Sequence, residues 1–306
     1  MTGQPWPAVT VVVATVDRPG HLDRTVERIL AQDYPGTIEC VVVYDRVPVR
    51  ELAAPQRPGR ALVHTVNSRT PGLPGGRNSG VEAGHGDLIA FCDDDDVWLP
   101  DKLRRQVELL AARPAAAAAS CGIVLKGPDT HRQRRLARTE VTLADLIADR
   151  VMEVHSSTVL VRRSTWEAIG PVDEELPGGY SEDYEWLLRV AAHGPIALVP
   201  ACLVEVNWHG GSFFFGRWAV IVDAQRYLIA KHGELAGSRT GLARIHGQIA
   251  FALAAGHRRG EALRELLRVV RLNPLEKRIW VTLPVLFGLL SGSQVLALAQ
   301  KRGRGV

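Results

Sequence analysis

Aromatic side chains make up only 6% of this 306-residue chain, which holds two methionines and four cysteines. Cys40, Cys92, Cys121 and Cys202 lie far apart and form no Cys-x-x-Cys pair, which argues against a disulfide scaffold. Three of them sit in apolar, strand-like runs, as buried reduced thiols of a cytoplasmic protein do. No histidine–cysteine cluster has zinc spacing. The opening "MTGQPWPAVT" lacks the basic region and apolar core of a signal peptide, so a cytoplasmic location is expected. The stretch "IWVTLPVLFGLL" (279–290) is about half the length that spans a bilayer, and it contains Pro284 and Gly288. Two readings stay open for it: a packed helix of a C-terminal bundle, or an interfacial helix on anionic lipid.

What is present is divided by charge. Residues 1–212 carry 22 Lys/Arg against 28 Asp/Glu, whereas residues 213–306 carry 15 against 5. An acidic body suits cation handling, and a basic tail suits an anionic surface or a solvated helix face. The expected division is therefore a domain at 1–212 and a basic helical region at 213–306.

Strand and helix signals alternate through the first part. "VTVVVA" (9–14) is a continuous β-branched run, the pattern of a strand buried on both faces. Leu22, Val26, Ile29 and Leu30 then mark a helix that ends near Pro35. "IECVVVY" (38–44), "ALVHTV" (61–66) and "LIAFC" (88–92) read as strands, with "GGRNSGVEAG" and "PDKLRRQVELLAAR" (100–113) as helices. Repeated βα units imply an α/β fold, a mostly parallel sheet flanked by helices. Residues 126–140 are polar and basic and are expected to form a mobile loop. "SSTVLVRR" (156–163) reads as a strand, 181–194 as a helix that Ser181 can cap, and 196–208 as a strand. From 213 the pattern is helical.

In such sheets ligands bind at the carboxyl ends of the strands. "FCDDDDVWLP" (91–100) sets four aspartates at one of those ends. Residues two apart on a strand end point the same way, so Asp93 and Asp95 can converge on one hard cation, Mg²⁺ or Mn²⁺. A solvated acidic turn or a calcium-stabilised loop is the plainer reading. "PGLPGGRNSG" (71–80) matches neither GxGxxG nor a Walker A loop, but Arg77 and Asn78 fall where loop becomes helix near the same edge. Glu182 and Asp183 open a helix. Acids there favour its dipole, or one of them is a general base for an incoming hydroxyl. His209, in "NWHGGSF", is either structural or within reach of a phosphate or metal.

Taken in order, "VTVVVATVDRPGHLDRTVERILAQDYP", "CVVVYDR", "GGRNSGVEAGHGDLIAFCDDDDVWLPDKL", "SSTVLVRRSTWEAIGPVDEEL" and "SEDYEWLLR" resemble the family 2 glycosyltransferases, whose nucleotide-sugar-binding fold is called GT-A. The match runs over residues 8–212. The resemblance implies inverting transfer of a sugar from a nucleotide diphosphate to an acceptor hydroxyl. Thr15, Asp17 and Arg18 would lie in the nucleotide pocket, Asp45 on the base, and Arg77 and Asn78 beside the nucleotide. Asp93 and Asp95 look like the family's Asp-x-Asp pair, with Asp94 between them, binding ribose and metal. Asp183 looks like the catalytic base, with Glu182 touching the acceptor and His209 near the diphosphate and metal. Displacement at an anomeric carbon needs a base on one face and a neutralised diphosphate on the other, so the two acid clusters belong in one protein.

Two features depart from the family. Arg46 and "VPVR" follow Asp45 where a second acid and a Gly-Ser turn are usual. This leaves UDP, GDP and dTDP open, with a UDP-sugar favoured. The aspartate register is also ambiguous, since Asp94 and Asp96 form a second spaced pair. Asp93/Asp95 is preferred because one further acid and then x-Trp follow. A sugar nucleotidyltransferase lacks its glycine-rich signature here. A nuclease is disfavoured by the acidic body and by a tail without interleaved aromatics, so no nucleic-acid partner is expected. A non-catalytic carbohydrate- or nucleotide-sugar-binding module, or a sugar nucleotidyltransferase, remains the alternative. The acceptor is expected to be a carbohydrate or lipid-linked precursor of a surface polysaccharide, met by Arg132, Arg134, Arg135 and Arg138 and by the basic tail. The protein would then sit peripherally on the inner face of the cell membrane.

Overall fold

The computed structural model describes residues 6–18, 20–53, 57–127, 130–135, 137–207, 214 and 216–301. The chain divides into two compact units. Met1–Leu143, Val151–Glu174 and Glu182–Trp208 form the first; Ala144–Arg150, Glu175–Ser181 and His209–Val306 form the second.

The first unit is built on one sheet. Its strands are β1 (Val9–Thr15), β2 (Ile38–Tyr44), β3 (Arg60–Val66), β4 (Leu88–Phe91), β5 (Val97–Trp98), β6 (Ala118–Gly127), β7 (Thr130–Arg134), β8 (Glu140–Val141), β9 (Leu160–Arg162) and β10 (Ile196–Asn207). The spatial order is β3-β2-β1-β4-β9-β6-β10-β5, with β7 on β6 and β8 on β10. β1 to β4 run parallel, as the βα units predict. β9 then lies antiparallel to both β4 and β6 and joins this half to the parallel pair β6 and β10.

Helices α1 (His21–Leu30), α2 (Leu73–Ala83) and α3 (Lys102–Ala112) accompany the strands, α4 (Leu143–Ala148) belongs from Ala144 on to the second unit, and α5 (Arg163–Ile169) and α6 (Glu182–His193) return to the first. α1 buries Leu22, Val26, Ile29 and Leu30, an i, i+4, i+7, i+8 stripe. Asp23 in its first turn accepts the Gly20 N–H at 3.1 Å. α2 has few apolar side chains and packs through glycines instead. A Cβ on Gly80 would meet Val12 Cγ1 at 2.2 Å, and one on Gly75 would meet the Thr70 carbonyl at 1.9 Å. The glycine-rich stretch therefore brings a helix backbone against β1.

Two expectations change. Much of 126–140 is not a loop: β7 pairs antiparallel with the outer end of β6, Val124 opposite Gln133 and Lys126 opposite His131. "SSTVLVRR" is a 3₁₀ turn, Ser156–Thr158, before the three-residue β9. The Thr158 hydroxyl bonds back to the His155 carbonyl at 2.7 Å, while those of Ser156 and Ser157 reach Asp93 and Asp96, so this stretch turns instead of extending.

The second unit is helical: α7 (Trp218–Lys231), α8 (Arg239–Ala255), α9 (Arg259–Leu272), α10 (Arg278–Leu286) and α11 (Gly292–Lys301). α8 is its centre, buried from Ile245 through Ala254 at nearly every position, with α7, α9, α10 and α11 packed on it. Ser238 caps α8 by accepting the Gly241 N–H at 3.0 Å. Among the described residues no helix is long and apolar enough to cross a membrane.

Candidate active site at the carboxyl edge of the sheet

The strand order reverses between β1 and β4, the point where open α/β sheets leave a crevice. Val12 pairs with Phe91, so continuing the register sets Thr15 level with Asp94. The Thr15 hydroxyl donates to Asp94 Oδ2 at 2.5 Å and accepts the Asp17 N–H at 2.8 Å. Asp17 has φ +54, in the left-handed region, so the chain turns sharply off β1. Arg18 then reaches back to the aspartate run, donating to Asp95 Oδ2 at 2.8 Å and pairing with Asp94. Asp17 itself accepts from Arg50 Nε at 2.9 Å.

Asp45 lies one residue past β2, its N–H bonded to the Thr15 carbonyl. It is buried and already engaged: Oδ1 accepts from Asn67 at 2.9 Å, and Oδ2 accepts from the Gly72 N–H and from Arg46 Nε, both at 3.1 Å. Asp45 thereby fixes the loop that leads into α2.

The four aspartates fan out from the end of β4. Asp94 and Asp95 turn towards Arg18. Asp96 is buried, accepting from the Ser157 hydroxyl at 2.6 Å and the Asn207 N–H at 3.2 Å. Burial raises its pKa well above the ordinary carboxylate range, and the Asp93 and Asp95 charges add to this. Asp93 is the most accessible by side chain, and Arg77 Nη2 donates to it at 3.0 Å. Its N–H donates to Ser157 Oγ at 3.0 Å, and the Ser156 hydroxyl lies 3.3 Å from Oδ2. One ligand atom each from Asp93, Asp96 and His155 lie within 4.8 Å of one another. Carboxylate oxygens with an imidazole nitrogen form a donor set that fits Mn²⁺ or a similar divalent ion.

Arg77 is the hinge of the site. Its side chain is buried in α2, with Cζ 5.6 Å from the centre of the Phe91 ring. Nη1 donates to Glu182 Oε1 at 2.7 Å while Nη2 holds Asp93, so one guanidinium ties the end of β4 to the start of α6. Burial pushes the Glu182 carboxyl up to about 7; Arg77 opposes this and the Asp183 charge adds to it. The 2.7 Å contact marks an ion pair once Glu182 is ionised. Asp183 follows, half-buried, lining a small cleft with Arg77, Phe91, Ser156, Val172, Trp186 and Leu187. Phe91, Trp166 and Trp186 pack ring on ring, with centroids 5.4 to 5.8 Å apart.

The structure thus brings Thr15, Arg18, Asp94 and Asp95 together on one side, and Arg77, Asp93, Glu182 and Asp183 on the other. Asn78 does not join them. Its amide donates to the Val172 carbonyl and Glu174 and accepts the Val172 N–H, clamping that loop. Glu182, expected at the acceptor, faces inward onto Arg77. Ser181 has φ +67 instead of the extended conformation of a capping residue. His209 lies outside the described residues. His155, Ser157 and Asn207 were not anticipated. The polar "HSST" just before an apolar run was the available signal, but nothing local tells that it folds under residues some sixty positions earlier.

The sequence pattern described as Glycosyl transferase family 2 matches residues 10–170. A succinoglycan biosynthesis protein, ExoO of Rhizobium meliloti, is 39% identical over 116 residues, 37% of this chain and 32% of that protein. An amylovoran biosynthesis glycosyltransferase, AmsE of Erwinia amylovora, is 25% identical over 206 residues, 65% of this chain and 75% of the relative. The chain therefore spans about a third of the first relative's length and three quarters of the second's. Among solved structures, S. aureus TarS 1–349 with UDP superposes at a TM-score of 0.57 and 14% identity, covering 97% of this chain and 92% of that one. The mannosyltransferase PcManGT from Pyrobaculum calidifontis, with GDP-Man and Mn²⁺, gives 0.54 and 19%, covering 97% and 91%. The fold is that of these GT-A proteins.

Proposed function

The chain belongs to glycosyl transferase family 2, and on that premise we propose that it is an inverting, metal-dependent enzyme. It would move a sugar from a nucleoside diphosphate, UDP favoured, to an acceptor hydroxyl in polysaccharide assembly. The observation that carries this is the Arg77 bridge. By holding Asp93 and Glu182 on one guanidinium, it ties the strand-end acids to the start of α6, whose Asp183 lines a cleft together with Arg77. Relatives named for succinoglycan and amylovoran biosynthesis support the polysaccharide reading. Structural neighbours holding UDP and GDP-Man support a sugar-nucleotide donor.

Glu182 is buried against Arg77, so Asp183 is the acid left to face an acceptor. In this reading Asp183 takes the proton of the acceptor hydroxyl as its oxygen attacks the anomeric carbon from the face opposite the diphosphate. The bond from that carbon to the diphosphate oxygen breaks, and the nucleoside diphosphate leaves with configuration inverted. Thr15, Asp17, Arg18 and Asp45 line the nucleotide side. A divalent ion would be held by Asp93 and Asp95 with His209, or by Asp93, Asp96 and His155; Asp93 is common to both sets. When bound it supplies charge neutralisation for the departing diphosphate.

The test is calorimetric titration with UDP-, GDP- and dTDP-sugars, in Mn²⁺ and then in EDTA, on wild type, Asp93→Ala, Asp95→Ala and Asp183→Asn. One donor should bind with metal only, lose binding in Asp93→Ala, and keep binding in Asp183→Asn while transfer is lost; Asp95→Ala tells the two ligand sets apart. If no donor bound under any condition, the transferase reading would fall and a binding module for another ligand would replace it.

A further inference from the structure

The second unit displays an apolar ridge that its own core does not use. α10 buries Ile279, Thr282, Val285 and Leu286 on one face. The adjoining face, about 100° round the axis, carries Trp280 and the half-buried Leu283 and leads to Phe287 at the helix end, at i, i+3 and i+7, and Trp280 and Phe287 are 70% and 69% exposed. Leu275 before the helix and Leu289 after it are 87% and 75% exposed. Both lie on turns that hydrogen bonds hold in place. The Leu275 N–H donates to Asn273 Oδ1 at 3.1 Å, and the Leu289 N–H donates to the Pro284 carbonyl at 2.9 Å. The ridge is therefore held in shape by the backbone, at a cost that a solvated surface would not repay.

Its electrostatic setting identifies what covers it. Lys277 stands exposed one turn before Trp280, and Arg259 Nη2 lies 3.1 Å from where a Cβ on Gly288 would be. The whole segment 213–306 carries 15 Lys/Arg against 5 Asp/Glu. A second copy would bring the same positive charge to the interface and be repelled. A nucleic acid has no use for Leu275, Leu283 and Leu289. Side chains so exposed protrude instead of lining a groove, which suits insertion into a soft medium better than docking into a rigid partner. We infer that α10 and its flanking turns form a membrane-docking ridge, with Trp280, Phe287, Leu275 and Leu289 entering the headgroup boundary of an anionic bilayer and Lys277 and Arg259 meeting the lipid phosphates. This stands apart from the transfer chemistry, because lipid binding needs neither donor nor metal. Either reading can fail alone.

The experiment is co-sedimentation of the full chain with vesicles of phosphatidylcholine, and of phosphatidylcholine with phosphatidylglycerol, at low and high salt. Wild type should pellet with the anionic vesicles, weakly with the neutral ones, and less at high salt. The double variant Trp280→Ser/Phe287→Ser should lower the partition coefficient by about tenfold or more, since each ring loses its apolar transfer. Lys277→Glu should reduce binding to the anionic vesicles alone. Val49→Ser, an exposed apolar site in the other unit, should change nothing. Circular dichroism keeps loss of fold separate from loss of binding. Equal partitioning of wild type and the double variant, or no anionic preference, would overturn the proposal. So would a concentration-dependent dimer that the double variant abolishes without any effect on vesicles.

Discussion

Arg77→Met removes the one cation shared by Asp93 and Glu182 while keeping most of the side chain's volume. An ion pair at about 4 Å is worth about 4 kcal/mol at an effective dielectric of about 20, against a desolvation cost of several kcal/mol per buried ion. Removing one partner leaves that cost standing, and such losses run to about 3–5 kcal/mol. The cost should depend on pH. Glu182 titrates near 7 even beside Arg77, above its ordinary 4.5, so the folded state takes up its proton more readily than the unfolded chain. Stability from this group is full below pH 4.5 and is lost as pH rises through 7. Without Arg77 the folded pKa climbs further, so the variant should lose most at pH 8 and recover towards pH 5. The assay is urea unfolding at both pH values, read by tryptophan fluorescence, on Arg77→Met, Glu182→Gln and the double variant. Neutralising Glu182 should restore about 2 kcal/mol of the loss at pH 8, an interaction seen as non-additivity. A loss under about 1 kcal/mol for Arg77→Met at pH 8, or strict additivity, would refute the bridge as the organiser of the site.

Lys102 is fully buried and its Nζ, 3.6 Å from the centre of the Trp98 ring, has no hydrogen-bond partner among the described residues; burial lowers its pKa to about 8. That depression from 10.5 corresponds to a penalty of about 3 kcal/mol below pH 8, against a cation–π gain of about 2. Lys102→Met should therefore raise the melting temperature at pH 7, and the advantage should shrink between pH 8 and 10.5 as wild type sheds its proton. Gly80→Ala forces a methyl against Val12 and should cost about 1–3 kcal/mol in denaturant unfolding. Thr15→Val strands the Asp17 N–H and one bond to Asp94, so it should cost about 1–3 kcal/mol and weaken donor binding in the same calorimetric titration.

The legible parts of the sequence were those where one physical signal dominates. β1 and β2 are continuous β-branched runs because both faces are covered, and α1 announces itself by period. β6 was not legible: "AAAAASCGIV" has alanine at its start, and its small residues allow tight packing without the bulk that marks a strand. β7 was hidden because an edge strand facing solvent carries His131, Arg132 and Gln133, which read as loop. The site was legible as a set of acids at a strand end and a helix start. Which acid faces inward was not, since burial of Glu182 depends on Arg77, more than a hundred residues away in sequence. Asn78 reads together with Arg77 because both fall where loop becomes helix near the strand ends. On a helix, adjacent residues point about 100° apart, and this one points to the 172–174 loop.

The antiparallel β9 has a consequence for synthesis. Until Leu160–Arg162 leaves the ribosome, β4 presents an open edge, "LIAF", beside an already paired β1. At about 5–20 residues per second that interval lasts on the order of several seconds. During it, the nascent chain carries an apolar strand able to recruit a neighbour on the same polysome. A fragment ending before residue 160 would keep that edge for good. Such fragments should be recovered as aggregates, and during translation the half-made sheet is a natural client for a ribosome-bound chaperone.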